Sequence, residues 1–154
     1  MKNLTRPRAC AAIIRGGKIL MVRHQNNGRS YWTLPGGGVI DGESLEQTVV
    51  REVLEETSLD VKVVKLLFEE QYEYGFSYCF LASENGEAEA KLGSDPEEKG
   101  VEYHLSMLQE VDWHSLESMK NDKQVSKVIA ILALSIADNI SDPKESSQNK
   151  VAKN

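Results

Sequence analysis

The sequence predicts an α/β fold, a single domain in which one β-sheet and two helices share a core. Its 154 residues are 40% hydrophobic, which is a usual size and composition for one globular domain. Short apolar runs rich in β-branched and aromatic residues are separated by turn signals, as expected of strands. Two further segments repeat apolar residues at the spacing of an amphipathic helix. We assign residues 1–140 to this domain and expect residues 141–154 to form a disordered polar tail.

The first two strands are predicted to form a hairpin. Residues 9–14 and 18–22 are apolar runs on either side of Gly16 and Gly17. A glycine pair readily supplies the positive φ angles of a tight turn, so the two runs should pair with each other.

A third strand is predicted at residues 31–34, after a polar loop. It is followed by Pro35 and by the three glycines of residues 36–38. Because proline cannot donate to a strand ladder and glycine weakens a strand, we expect the strand to stop here.

The most clearly marked helix follows these glycines. Ser44 can cap it, and Gln47 three residues later completes a capping box, so the helix should run from residue 45 to about residue 57. At about 100° per residue, its apolar stripe is predicted to consist of Val50, Val53 and Leu54.

The rest of the chain is predicted to complete the sheet and add a second helix. Residues 61–68 and 76–82 have the composition of two more strands. Residues 93–100 are rich in glycine, proline and acidic residues, as in an exposed loop, and such loops often carry function. Residues 101–108 again resemble a strand, and residues 125–137 have the apolar spacing of an amphipathic helix.

The charge balance excludes one class of partner. There are 24 acidic and 18 basic residues, giving a formal net charge of -6, and the basic residues do not cluster. Binding to duplex nucleic acid usually requires a basic surface, so we do not expect it. An acidic protein can still bind a small polyanion when a metal ion bridges the two.

Cysteine usage and hydropathy indicate the compartment. Cys10 and Cys79 are far apart in sequence, match no short metal-ligand or redox spacing, and lie in apolar strand-like contexts. No segment approaches the roughly 20 apolar residues of a membrane span, and no apolar run of signal-peptide length follows the polar N-terminus. We therefore expect a cytoplasmic protein without a membrane partner.

Three glutamates on the first helix are the main candidates for chemistry. Glu52, Glu55 and Glu56 fall within about 100° of helical arc, opposite the predicted apolar stripe. Like charges at this spacing cost about 0.2 to 0.5 kcal/mol per pair, so a cation should compensate them. Hard divalent ions prefer carboxylate oxygens and often retain substrate phosphates as further ligands. The alternative interpretation is the solvated face of an ordinary surface helix.

The surrounding residues resemble the Nudix box. That pattern is Gly, five residues, Glu, seven residues, Arg-Glu, an aliphatic residue, any residue, Glu-Glu, any residue, Gly and an aliphatic residue. The matching places are Gly37, Glu43, Arg51, Glu52, Val53, Glu55, Glu56, Ser58 and Leu59. Ser58 is the one departure, standing where the family has a glycine that eases the chain out of the helix. The preceding residues 32–36, WTLPG, are also typical of the family.

The resemblance implies both a fold and a site. The fold would be an α/β/α sandwich around a mixed β-sheet. Arg51 and Glu43 would hold the geometry of the site through ion pairing. One or more Mg²⁺ ions, with Mn²⁺ as an alternative, would be coordinated by Glu52, Glu55 and Glu56 and by the carbonyl of Gly37.

The resemblance also implies a reaction. Metal-activated water would attack phosphorus in a pyrophosphate bond of a nucleoside diphosphate linked to another moiety. Nucleoside triphosphates, ADP-ribose, nucleotide sugars and dinucleoside polyphosphates all remain open as the small-molecule substrate. Glu52 is one candidate for the base, and an acidic residue of the later loop is the other. That loop offers Glu97, Glu98 and Glu102, of which we favour Glu98.

Substrate contacts are less well marked. Arg23 and His24 end the second predicted strand and are candidates for phosphate binding, with a surface arginine and a satisfied histidine as the commoner explanations. Trp32 is a candidate for stacking on a base, with packing as its alternative.

Two other functional classes are weighed against hydrolysis. A non-catalytic nucleotide-sensing domain of the same fold is usually joined to a DNA-binding module, for which this chain lacks room. An isomerase on this fold typically needs a catalytic cysteine, and Cys10 and Cys79 do not look placed for that. The resemblance leaves a monomer and a homodimer open, and the last helix could pack on its own sheet or at a subunit interface.

Overall fold

The computed structural model describes residues 6–73, 75–93 and 107–141. This part of the chain contains seven strands and two helices. In chain order they are β1 (Arg8–Arg15), β2 (Lys18–Asn26), β3 (Arg29–Thr33), β4 (Gly36–Gly38), α1 (Leu45–Thr57), β5 (Val61–Tyr72), β6 (Gly75–Glu84), β7 (Met107–Ser115) and α2 (Lys123–Ser141).

The strands form one mixed sheet in the order β3-β2-β1-β6-β5, with β4 paired to β1 and β7 paired to β2. The predicted hairpin is confirmed: β1 and β2 are antiparallel, joined by Gly16 and Gly17 with φ angles of 53° and 76°. Next to the turn, Ile14 of β1 is opposite Ile19 of β2. Farther from the turn the two strands have different partners: β1 pairs in parallel with β6, and β2 pairs with β3 and β7.

Alternation along β1 divides the core into two layers. Ala9, Ala11 and Ile13 pack on the side of α1, in a cluster with Val49 and Val53. Cys10 and Ala12 point to the other side and pack with Val125 and Val128 of α2. Because successive strand residues face opposite ways, one buried strand serves both layers. The predicted α/β/α sandwich around a mixed sheet is confirmed.

The third strand ends at Thr33, before Pro35, as predicted. The three glycines that follow form a strand of their own, which the sequence did not predict. Gly36–Gly38 forms β4, antiparallel to β1, with Cys10 opposite Gly36 and Arg8 opposite Gly38. A Cβ atom on Gly36 would lie 2.3 Å from the Ala9 carbonyl oxygen. The missing side chains therefore permit a close approach of backbone to backbone, which is one of the uses of glycine in strands.

The predicted bounds of α1 are confirmed, and its capping box is present. Ser44 Oγ accepts a hydrogen bond from the Gln47 N–H at 3.0 Å, and Gln47 Oε1 accepts one from the Ser44 N–H at 2.8 Å. Of the predicted apolar stripe only Val53 is buried, because Leu54 is 53% exposed and Val50 is partly exposed. Glu52 and Glu56 were expected opposite that stripe but share the buried face with Val53. The buried face consists of Thr48, Val49, Glu52, Val53, Glu56 and Thr57.

The chain leaves α1 through a left-handed residue. Ser58 has φ 66° and ψ 11°, and its N–H donates to the Leu54 carbonyl at 3.0 Å. Its hydroxyl donates to the carbonyl of Lys91 at 3.1 Å. Serine thus adopts the conformation for which glycine is usually preferred at a helix C-terminus.

The second helix is also confirmed and is longer than predicted. It spans Lys123–Ser141, and Asp122 Oδ1 accepts hydrogen bonds from the N–H groups of Gln124 and Val125, both at 2.9 Å. No helix in the described part of the chain is both long and apolar enough to cross a membrane. Residues 94–100 of the predicted loop, residues 101–106 of the predicted strand and residues 142–154 of the predicted tail lie outside the described residues.

We predict that Ser58→Gly stabilises the fold by about 0.5–1 kcal/mol, because glycine adopts the left-handed conformation without the Cβ cost. The control is Ser58→Ala, which keeps the cost and loses the hydroxyl contact with Lys91, and should be less stable than the wild type. Urea denaturation of the three proteins measures both differences. A Ser58→Gly variant no more stable than Ser58→Ala, which lacks the same hydroxyl, would show that the left-handed exit is not strained.

Candidate active site

Two carboxylates are buried on the side of α1 that faces the sheet. The side chains of Glu52 and Glu56 are each 1% exposed and lie one helical turn apart. Moving a carboxylate out of water costs several kcal/mol unless hydrogen bonds or opposite charges compensate. The structure therefore excludes the interpretation of these two glutamates as the solvated face of a surface helix.

Glu56 receives contacts from two strands. Its Oε1 accepts a hydrogen bond from the backbone N–H of Gly36 in β4 at 2.9 Å. Its Oε2 lies 3.2 Å from Nε2 of His24, near the end of β2, whose side chain is 11% exposed. The carboxylate is therefore held between the glycine strand on one side and β2 on the other.

Glu52 lies directly against the backbone of Gly37. A Cβ atom on that glycine would lie 2.2 Å from Glu52 Oε1 and 2.5 Å from Cδ of the same side chain. Since no side chain fits in that space, glycine is required at this position for the present packing. Gly36 thus lies beside the Glu56 carboxylate, and Gly37 lies beside the Glu52 carboxylate.

Arg51 connects the helix to the loop before it. Its guanidinium donates to both carboxylate oxygens of Glu43, at 2.7 Å from Nε and 3.0 Å from Nη2. Nη1 lies 3.2 Å from Glu52 Oε1 and 3.2 Å from Glu55 Oε2, and Nη2 donates to the Gly38 carbonyl at 3.0 Å. The hydrogen bonds to Glu43 raise the pKa of Arg51 above its usual value. One cation thus faces three carboxylates.

Glu43 is the anchor of this arginine. Besides the two Arg51 hydrogen bonds, its Oε1 accepts from the Thr48 hydroxyl at 2.6 Å and from the Ile40 N–H at 3.2 Å. The hydrogen bonds from Arg51, with further contributions from Thr48 and Ile40, lower the pKa of Glu43 to about 2. The carboxylate is therefore charged at any pH at which the protein would be expected to work.

The oxygen donors of this region suit a hard divalent cation in kind. Glu52, Glu55 and Glu56 supply carboxylates, and Gly37 places a backbone carbonyl in the strand beside them. Among residues 6–73, 75–93 and 107–141, no three acidic, histidine or cysteine side chains already stand close enough to hold a metal. The described contacts of their oxygens are to Arg51, Gly36 and His24.

The structure brings together six of the predicted site residues, places His24 beside them, and leaves Arg23 and Trp32 in other contacts. Gly37, Glu43, Arg51, Glu52, Glu55 and Glu56 are joined by the contacts above. Arg23 instead donates to Glu110 Oε1 at 3.1 and 2.9 Å. Trp32, its partner on β3, packs edge-on against His114 with ring centroids 4.4 Å apart. Glu97, Glu98 and Glu102 lie outside the described residues.

The contact between His24 and Glu56 was missed by the sequence interpretation, which grouped His24 with Arg23. The alternating directions of the side chains along β2 could have indicated this contact. Leu20 belongs to the core cluster on the α1 side, whereas Met21 belongs to the cluster on the α2 side. His24 falls on the side of Leu20 and Arg23 on the side of Met21, so only the histidine faces the helix that carries the glutamates.

Comparison with known proteins identifies relatives of this chain. A family model described as the NUDIX domain matches residues 4–132. The NAD-capped RNA hydrolase NudC of Pectobacterium carotovorum subsp. carotovorum (strain PC1) is 34% identical over 94 residues, which is 60% of this chain and 35% of that protein. The ADP-ribose pyrophosphatase of Methanocaldococcus jannaschii is 46% identical over 56 residues, 36% of this chain and 33% of that protein. The matches thus span about a third of each relative's length.

Solved structures share the fold. A NUDIX hydrolase from Nitrosomonas europaea superposes with a TM-score of 0.66 at 19% identity, covering 84% of this chain and 89% of that chain. An ADP-ribose pyrophosphatase from Streptococcus suis 89-1591 superposes with a TM-score of 0.60 at 23% identity, covering 84% and 91% of the two chains. At these identities the likeness establishes the architecture alone.

We predict that Glu43→Gln destabilises the protein at neutral pH by about 1–2 kcal/mol, the usual value for a charged hydrogen bond reduced for partial exposure. Since the folded pKa of Glu43 is depressed, its contribution is present above about pH 4.5 and is lost as the pH falls toward about 2. The difference in unfolding free energy between variant and wild type should shrink over that range. Urea denaturation at a series of pH values measures it.

The exposed Glu46, in the first turn of α1, provides the matched control. Glu46→Gln should leave the unfolding free energy within about 0.5 kcal/mol of the wild type. A Glu43→Gln difference that stays constant down to the lowest pH would show that the carboxylate charge is not what Arg51 stabilises.

Proposed function

The chain belongs to the Nudix family, and on that premise we propose that it is a metal-dependent hydrolase of pyrophosphate bonds. The substrate would be a nucleoside diphosphate linked to another moiety. The observation that supports this most is the burial of the Glu52 and Glu56 carboxylates against Gly37 and Gly36, at positions that match the Nudix box. Buried carboxylates in a net negative cluster favour a cationic ligand over an apolar one.

We propose that Glu52, Glu55 and Glu56, with the Gly37 carbonyl, hold a divalent cation. Mg²⁺ is our first choice because all these donors are hard oxygens, and Mn²⁺ is the alternative. When bound, such an ion lowers the charge on diphosphate oxygens and the pKa of a water molecule. The guanidinium of Arg51 faces the carboxylates of Glu43, Glu52 and Glu55 at the same time, so these carboxylates share one cation.

Arg51 and Glu43 are proposed as positioning residues. The paired hydrogen bonds between them fix the plane of the guanidinium, as expected of a bidentate arginine–carboxylate contact. The remaining Arg51 nitrogen then sets where the Glu52 and Glu55 carboxylates can lie. Replacing Arg51 with lysine would keep the charge and lose this geometry.

Glu52 is the proposed proton acceptor for the attacking water. It is nearly fully buried and lies against the backbone of Gly37, and a carboxylate held in this way can accept a proton from a water molecule within hydrogen-bond distance. Glu98 is the alternative base and lies outside the described residues. Arg23 remains a candidate for a phosphate contact and Trp32 for a base contact.

The relatives suggest an order in which to test the substrate classes. Because they include an NAD-capped RNA hydrolase and an ADP-ribose pyrophosphatase, NAD-capped RNA and ADP-ribose are the first substrates to test. Nucleoside triphosphates, nucleotide sugars and dinucleoside polyphosphates follow from the family resemblance alone.

A cysteine-dependent isomerase is less well supported. Cys10 and Cys79 are buried opposite each other on β1 and β6, in the core layer on the α2 side. The glutamates lie on α1, across the sheet from that layer. A non-catalytic sensor of the same fold remains the second candidate, and the experiment below distinguishes it.

We predict Mg²⁺-dependent release of phosphate or nucleoside monophosphate from at least one member of a panel of the five substrate classes, and loss of that release in EDTA. Glu52→Gln and Glu56→Gln should each lower the rate by about 10²–10⁴-fold, the usual contribution of a positioned general base or charged ligand. Glu46→Gln, on the same helix but exposed, should keep wild-type turnover.

Turnover that persists in EDTA or in both active-site variants would contradict the hydrolase mechanism. Absence of turnover on every substrate, together with saturable binding of one of them, would favour the sensor. Product identification by mass spectrometry shows which phosphorus is attacked.

A further inference from the structure

We infer that His24 is a positioning residue for Glu56, holding one carboxylate oxygen so that the side chain presents a fixed orientation to a divalent cation. This inference rests on the proposed metal site.

The geometry places His24 between an aromatic ring and the carboxylate. Its Nε2 lies 3.2 Å from Glu56 Oε2. Its ring is stacked on that of Tyr31, the residue opposite it in β3, with centroids 6.0 Å apart and an interplanar angle of 22°. At 11% exposure the side chain has little freedom to swing away.

The pairing of β2 and β7 changes at this residue. Arg23 is opposite Glu110 and His24 is opposite Leu108, so Gln109 is an extra residue on β7. The Gln109 side chain donates to Gln25, the next residue of β2. Bulges of this kind increase local twist and often occur beside active sites, where they redirect a side chain.

The hydrogen bond from Gly36 does not by itself define the plane of the Glu56 carboxylate. The terminal torsion of a glutamate is broad, so the Gly36 N–H on Oε1 leaves rotation about that bond available. Nε2 of His24 lies 3.2 Å from Oε2, and this close contact from β2 restricts the rotation. Since α1, β4 and β2 all meet at Glu56, its orientation then depends on the tertiary structure and not on the helix alone.

A neighbour that orients a ligating carboxylate affects metal binding in a characteristic way. Such outer-shell partners typically contribute about 10–100-fold to metal affinity. A histidine that merely filled space would contribute to folding stability and not to affinity. The two roles can therefore be separated by measuring both quantities on the same variants.

The test compares His24→Asn with His24→Gln. The amide nitrogen of glutamine reaches about as far as Nε2 of histidine, whereas that of asparagine stops near the position of Nδ1. Isothermal titration with Mn²⁺ alone, at one neutral pH, gives the affinity without any requirement for turnover. We expect His24→Asn to bind Mn²⁺ about 10–100-fold more weakly than the wild type, and His24→Gln to stay within about threefold.

The matched control is His114→Asn, a partly buried histidine on the neighbouring β7 that contacts Trp32. It should keep wild-type affinity. Circular dichroism and urea denaturation establish that each variant is folded and by how much its stability changes.

Three results would overturn the inference. Unchanged or tighter binding by His24→Asn would show that the histidine does not support the site, and equal losses in His24→Asn and His24→Gln would indicate a packing role. A wild-type protein that does not bind Mn²⁺, or that binds it no better than Glu56→Gln, would instead overturn the proposed metal site itself. Parallel titration of Glu56→Gln therefore separates failure of the site from failure of the role of His24.

Discussion

The burial of two carboxylates of like charge is the constraint on which the packing around α1 depends. Glu52 and Glu56 lie between α1 and the sheet, where unsupported charges would cost several kcal/mol each. Their surroundings consist of groups that can offset that cost: a backbone N–H from Gly36, the imidazole of His24 and the guanidinium of Arg51. An ordinary core would place apolar side chains here, so the arrangement sacrifices stability for a charged cluster in a sheltered position.

The glycine strand makes this burial feasible. β4 lies against β1 so closely that side chains at Gly36 and Gly37 would strike backbone atoms of β1 and the carboxylate of Glu52. Their absence allows Glu56 of α1 to come close enough to β4 to accept a hydrogen bond from the Gly36 N–H. The same helix uses Val49 and Val53 to join the apolar layer formed by β1, which fixes its distance from the sheet.

The end of α1 is held as firmly as its start. The Ser58 turn is accompanied by hydrogen bonds from the Lys91 N–H to the Thr57 carbonyl at 2.8 Å and from the Gly93 N–H to the Glu56 carbonyl at 3.0 Å. A Cβ atom on Gly93 would lie 1.8 Å from the Glu55 carbonyl oxygen, so this segment also packs against the helix without a side chain. The turn that carries Glu55 and Glu56 is thus fixed by the segment after β6 as well as by the sheet.

The sequence by itself determined whatever depends on neighbours along the chain. The capping box of Ser44 and Gln47 and the glycine turn of the first hairpin are local, so their elements were predicted at or close to their observed bounds. The spacing of the glutamates was also readable, because helical geometry alone places them on one side of α1.

Only the tertiary structure decided which groups meet. Val49 and not Leu54 is buried because the sheet, and not the helix, sets which face is covered. Three glycines, which would weaken an isolated strand, form β4 because they pair with β1. His24 of β2 contacts Glu56 of α1, 32 residues later in the sequence, because the fold brings this strand and this helix together. These contacts depend on how separate elements pack against one another, and the local sequence preferences of each element do not determine that packing.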